Sequence, residues 1–218
     1  MKQSPILSVQ NLNVAFKSNT GLNEVLHGIS YNLFPNEILG IVGESGSGKS
    51  VASLAVMGLL PPKKSVISSG EIVFKSEDIL QYTQKELEVL RGQKIAMIFQ
   101  EPMSALNPSM CCGIQVEEIL LQHTSISKKA AKDEVIRLFT AVKIPAPKDT
   151  FEKYPHEISG GQQQRVMIAM AIACKPDVLI ADEPTTALDV TVQKDIITLL
   201  RTLQKESKMS VIFISHDL

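Results

Sequence analysis

The stretch "EILGIVGESGSGKS", residues 37–50, decides how the rest of the chain is read. Its first six residues read as a short, continuous apolar strand. "GESGSGKS" (43–50) then fits the spacing G-x-x-x-x-G-K-[ST]. In such a loop successive backbone N–H groups wrap an anion, because glycine permits the required backbone angles and a close approach. A helix expected from Lys49 to about Leu60 aims its positive dipole end at the same point. Gly43, Glu44, Ser45, Gly46, Ser47 and Gly48 are therefore expected to cradle the phosphates of a nucleoside triphosphate. Lys49 would reach the terminal phosphates, and the Ser50 hydroxyl would ligate Mg²⁺.

Outward from that loop, Leu12, Val14 and Phe16 alternate, as do Ile29, Tyr31 and Leu33. Both stretches predict half-buried strands, antiparallel and joined through the turn-rich "KSNTG" (17–21). "PPKK" (61–64) stops the first helix, and "GEIVF" (70–74) and "KIAMIF" (94–99) give two further strands. "DVLIAD" (177–182) and "SVIFIS" (210–215) are buried-strand sequences with a helix, Val192–Leu203, between them. Strands alternating with helices predict an α/β class fold, a P-loop core with a mostly parallel sheet and an N-terminal antiparallel β-subdomain.

The character changes after Gln100. "QEPMSALNPSM" (100–110) is loop sequence. Val116, Ile119, Leu120 and His123 then mark one helical face, and Val135, Leu138, Phe139 and Val142 another. Residues of about 101–164 form an inserted helical subdomain, with 1–100 and 165–218 as the core of a single domain spanning 1–218.

Charge and cysteine content narrow the function classes. The 218 residues carry 22 basic and 23 acidic side chains, a formal charge of −1, and no basic block long enough for a nucleic-acid arm. A nucleic-acid partner is not expected. Three cysteines without a C-x-x-C spacing exclude a disulfide framework or zinc site and suit a reducing compartment. The N-terminus enters strand-like alternation without a signal-peptide core. The longest apolar runs, Val51–Leu60 and Val166–Cys174, fall short of the ~18 residues a bilayer span needs.

"VLIADEPTTALD" (178–189) places two acids at the C-terminal end of a buried strand, the edge at which parallel sheets bind ligands. Asp182 is the candidate Mg²⁺ ligand. Glu183 is the candidate that orients and deprotonates an attacking water. Strand alternation sends the two side chains in different directions, so they should not share a role. Gln100 and His216 each end a strand. Gln100 could touch both Mg²⁺ and the water, and His216 could bond a γ-phosphate. Alone, such residues are more often a loop amide and a polar cap.

A second unusual stretch is "HEISGGQQQR" (156–165), two glycines ahead of the apolar run "VMIAMAIAC". Ser159 can cap the helix, and Gln162 can complete a capping box with it. Gly160 and Gly161 leave first-turn N–H groups uncovered, a second anion site at a helix N-terminus. A plain capped core helix accounts for residues 166–174 but not for the paired glycines.

Together these motifs resemble an ATP-binding cassette (ABC) ATPase, over about Leu7 to the last residue and in the family's order. "GESGSGKS" corresponds to Walker A, "FQEPMSALNP" to the Q-loop, "ISGGQQQR" to the signature, "VLIADE" to Walker B, "TALD" to the D-loop, and "SHDL" holds the switch histidine. "VGESGSGKS", "FQEPMSALNP" and "YPHEISGGQQQR" look most like the peptide and nickel importer branch.

The resemblance implies ATP and Mg²⁺ as cofactors. Ser159, Gly160, Gly161 and Gln162 would close over ATP held by a facing cassette, in a homodimer or a heterodimer with a second ABC ATPase. It also implies integral-membrane permease subunits, an extracytoplasmic solute-binding protein acting through the complex, and a peripheral place on the cytoplasmic face of the membrane. Peptide and nickel remain open as cargo. Phe16 matches the aromatic that stacks on adenine, and serves equally as core beside Leu12 and Val14. The alternatives are a soluble ABC ATPase unconnected with transport and a non-catalytic regulatory cassette. Intact Lys49, Asp182, Glu183 and His216 oppose the latter. The signature starts with Ile158 in place of leucine, a position asking only for an apolar anchor. Members of the branch continue beyond the switch histidine, so the C-terminal part of the usual cassette is expected to be absent from these residues.

Overall fold

A computed structural model describes residues 4–18, 21–100, 105–185 and 188–216. Two sheets organise them. The first is antiparallel, in the order β2–β1–β4–β5, formed by β1 (Leu7–Ser18), β2 (Gly21–Leu33), β4 (Ser65–Phe74) and the short β5 (Glu77–Asp78). The second is parallel, in the order β3–β8–β7–β6, from β3 (Ile38–Val42), β6 (Ile95–Ile98), β7 (Val178–Asp182) and β8 (Ser210–Ser215).

All five residues of β7 are buried, as a central parallel strand covered on both faces must be. β3 forms the strand that residues 37–42 predict. It lies at the edge of the sheet, beside β8 alone among the described strands, with Ile38 and Val42 42% and 46% exposed.

The helices are α1 (Lys49–Val56), α2 (Gln84–Val89), α3 (Cys112–His123), α4 (Lys128–Ala141), α5 (Pro147–Glu152), α6 (Gly160–Ile172) and α7 (Val190–Ser207). α1 ends earlier than its apolar run suggests. Gly58 adopts φ +60°, and its N–H bonds back to Ala55 O, which closes the helix two residues after Val56. α7 runs longer at both ends than the apolar period, because Asp189 caps its start at Val192 N (3.0 Å).

Two hydrophobic cores sandwich the parallel sheet. On one face, Leu179, Ala181 and Val211 pack with α3, α4, α6 and α7 through Val116, Val135, Phe139, Ile168 and Leu199. On the other, Ile180, Ile212 and Ile214 pack with α1 and the antiparallel sheet through Val56, Leu12, Leu33 and Ile72. Side chains alternating along β7 and β8 thus fall into different cores, the period-2 rule at work. Of the faces that the sequence assigns to α3 and α4, Val116, Leu120, Val135, Leu138, Phe139 and Val142 are buried, while Ile119 and His123 are half-buried. No described helix is long and apolar enough to cross a membrane.

Candidate nucleotide-binding site

The glycine-rich loop leaves the end of β3 and enters α1 through Gly48, whose φ of +93° few side chains tolerate. Close packing adds a second requirement: a Cβ on Gly48 would stand 2.6 Å from Leu26 Cδ2 and 3.2 Å from Val25 O. Strand β2 therefore braces the loop from outside, and Val25 reaches the mouth of the pocket. The pocket, of about 530 Å³, is floored by Glu44, Ser45, Gly46, Gly48, Lys49 and Ser50 and closed on the far side by Gln100, Glu183 and His216.

Lys49 is the hub of the cationic side. Its ammonium donates to Gly43 O (2.6 Å) and Glu44 O (2.8 Å) and stands 4.0 Å from Glu183 Oε1. Glu183 is the hub of the other side. Gln100 Nε2 donates to Glu183 Oε2 at 2.9 Å, and His216 Nδ1 lies 3.3 Å from the same oxygen. Three residues scattered between positions 49 and 216 thus converge on the Glu183 carboxylate.

Asp182 and Glu183 separate as sequence alternation anticipates, with a further cause. Glu183 sits just past β7 with φ +47°, while its N–H still bonds Ile214 O of β8 (3.2 Å). A non-glycine residue held in the left-handed region carries local strain, of order 1–3 kcal/mol, which is common where a side chain must be aimed at a site. Asp182 remains in the strand, 4% exposed. Burial pushes its carboxyl above the ordinary range, against which the Ser50 hydroxyl bond works. Among the described residues its Oδ1 has no hydrogen-bond partner.

A buried carboxylate oxygen left bare beside a serine hydroxyl is an oxygen-donor set that suits a hard divalent cation. Ser50, Asp182 and Gln100 supply oxygen ligands of the kind Mg²⁺ takes, so the residues present fit that ion.

The signature segment forms as its capping chemistry requires. Ser159 Oγ accepts from Gln162 N (3.3 Å), and Gln162 Oε1 accepts from Ser159 N (3.1 Å), a complete capping box at the start of α6. Ser159 and Gly160 are exposed. None of Ser159, Gly160, Gly161 and Gln162 lines the glycine-loop pocket. Phe16 does not line it either: it is half-buried on β1 against the core of the antiparallel sheet. Val25 was not legible, because only the packing of β2 against Gly48 brings it there.

A strand, a glycine-rich anion loop and a helix, with an acid-ended strand two places along the same sheet, define a P-loop nucleotide-binding protein. More specifically, the chain belongs to the ABC transporter family, whose pattern matches residues 26–186.

The chain is 50% identical over 213 residues to the dipeptide transport ATP-binding protein DppD of Bacillus subtilis, covering 98% of this chain and 64% of that relative. It is 47% identical over 213 residues to the oligopeptide transport ATP-binding protein OppD of Escherichia coli, covering 98% of this chain and 63% of that one. It thus spans somewhat under two thirds of these relatives' length. Among solved structures it superposes on the dimeric ATP-binding cassette MJ0796 bound to ADP and Pi with a TM-score of 0.85, 27% identity and coverage of 97% and 88% of the two chains.

Proposed function

We propose that the chain binds ATP with Mg²⁺ and hydrolyses it as the energy-supplying subunit of an importer for di- or oligopeptides. The observation that carries this reading is the convergence of Lys49, Gln100 and His216 on Glu183 in one pocket, with the signature glycines outside it. Lys49 releases its two loop carbonyls and neutralises the terminal phosphates. Glu183 accepts a proton from the attacking water. Gln100 and His216 hold that carboxylate in position, and His216 can turn to the γ-phosphate. Mg²⁺, held by Ser50, Asp182 and Gln100, neutralises phosphate charge when bound.

Ser159, Gly160, Gly161 and Gln162 present the N-terminus of α6 outward, so the ATP they serve sits on a second cassette, identical or closely related. MJ0796 is described as dimeric, which supports the pairing. The printed names of the peptide-transport relatives support the cargo class and disfavour both a cassette unconnected with transport and a regulatory one.

The helical piece of about 101–164 relays closure to membrane-embedded permease subunits. A groove of about 300 Å³ lined by Leu59, Phe99, Ile119, Met167 and Met170 is the face offered to them. Leu59 and Phe99 are exposed there, and methionines adapt to a partner's shape. The chain then sits peripherally on the cytoplasmic face of the membrane, and an extracytoplasmic solute-binding protein delivers the peptide.

Lys49→Ala tests the reading. ATP affinity should fall about 10- to 100-fold, the loss of one charge-assisted contact to phosphate. Peptide uptake into vesicles reconstituted with the permease subunits should stop in the same variant. Undiminished affinity and uptake would reject the proposal.

A further inference from the structure

Three helices of the chain begin in the same way. α3, α6 and α7 have Cys111, Ser159 and Asp189 at their N-caps, all with extended backbone angles. An apolar residue precedes each cap: Met110, Ile158 and Leu188. Four residues after each cap stands a glutamine, Gln115, Gln163 and Gln193.

Each glutamine amide reaches back over its own loop to two carbonyls. Gln115 Nε2 donates to Asn107 O (3.0 Å) and Met110 O (2.9 Å). Gln163 Nε2 donates to Pro155 O (2.8 Å) and Ile158 O (3.4 Å). Gln193 Nε2 donates to Thr185 O (3.0 Å) and Leu188 O (3.1 Å). In all three the acceptors lie eight and five residues before the glutamine. The N–H of the nearer acceptor residue also bonds the carbonyl of the farther one, at 3.2, 3.3 and 3.1 Å. One nine-residue module therefore occurs three times.

The repetition has a physical logic. A loop running into a helix leaves carbonyls that no ladder satisfies, and Gln115 and Gln163, 5% and 7% exposed, supply a donor to the nearer carbonyl and a second bond to the farther one from one planar amide. Two bonds from one amide fix the loop against the helix axis, so the cap residue is presented at a set angle. The described residues so held are 107–110 after Gln100, 155–158 ahead of Ser159–Gly161, and Thr185 and Leu188 after Glu183.

We propose that Gln115, Gln163 and Gln193 are positioning residues that lock these loops in the shape needed for a cassette pair to close over nucleotide. The inference rests on the proposed ATPase reading and adds residues to it that touch neither nucleotide nor water. Gln163 is the sharpest case. Its Oε1 has no partner among the described residues, so its contribution lies wholly in its two N–H donors.

Gln163→Met keeps length and apolar bulk and removes the donors. Backbone hydrogen exchange over residues 155–162, read by mass spectrometry on the 218-residue chain, should speed up about tenfold. ATP turnover should fall about tenfold with the KM for ATP unchanged, since the glycine-loop pocket lies elsewhere. A general packing defect would instead lower the melting temperature and speed exchange throughout; Gln193→Met, on a less buried glutamine, provides a second measurement free of that defect. Unchanged exchange in the two loops, or faster exchange with unaltered turnover, overturns the proposal. Absence of ATP turnover in the unaltered chain would strike the ATPase reading alone, and the exchange arm would still decide the clamp.

Discussion

Glu183→Gln should hold ATP but turn it over about 100- to 10,000-fold more slowly, the range associated with removing a general base. The substitution is nearly isosteric. It keeps an oxygen for the Gln100 amide (2.9 Å) and His216 (3.3 Å), so the cluster need not rearrange. What it removes is the ability to accept a proton and the negative charge 4.0 Å from Lys49. Loss of that charge frees Lys49 for phosphate, and ATP affinity should rise slightly rather than fall. Single-turnover hydrolysis with parallel ATP-binding measurements checks both halves. Turnover within a few-fold of the unaltered chain would remove Glu183 from its assigned role.

Gly160→Leu is the second large effect, and here the structure sharpens the expectation. A Cβ at Gly160 meets nothing closer than Leu188 Cδ2, at 3.9 Å, an ordinary contact. Gly161 is tighter, with Val192 Cγ1 3.1 Å away. Leucine also favours the helical state over glycine, so the variant chain should fold at least as well as the original. Among the described residues nothing demands a glycine at position 160. If its purpose is to leave the start of α6 bare for a partner's γ-phosphate, the bulky side chain blocks that approach. ATP turnover should then fall about 100-fold, as when transition-state donors to an anion are lost. ATP binding to the glycine loop should not change. A variant that turns over normally would remove Gly160 from its assigned role toward a partner's nucleotide.

How far the sequence carried depends on the range over which each feature is specified. The glycine loop, the capping box at Ser159 and the buried faces of α3 and α4 are local patterns, spaced by one or two helical turns, and each was legible. The end of α1 was legible too late, because the apolar run continues to Leu60 while Gly58 turns the backbone at φ +60°. The edge position of β3 was not legible at all. An apolar run of five residues has the same appearance in the middle of a parallel sheet as at its margin.

At the site, the strand-end positions of Gln100 and His216 were readable, but their meeting at Glu183 Oε2 depends on three strands lying in register. Val25 entered only through the packing of β2 against Gly48. The glutamine clamps lay between these cases. Each spans nine residues, and an apolar residue, a cap and a glutamine four places later recur at 110–115, 158–163 and 188–193. That signal was in plain view, and its meaning required seeing which carbonyls the amides reach.

On the proposed mechanism each hydrolytic pocket is made by two chains. Steady-state ATP turnover per chain, followed as the purified protein is diluted at saturating ATP and Mg²⁺, tests it most directly. Turnover per chain should decline in proportion to concentration once dilution separates the pairs, and recover on reconcentration. Constant turnover per chain at dilutions where sedimentation finds monomers alone would contradict it.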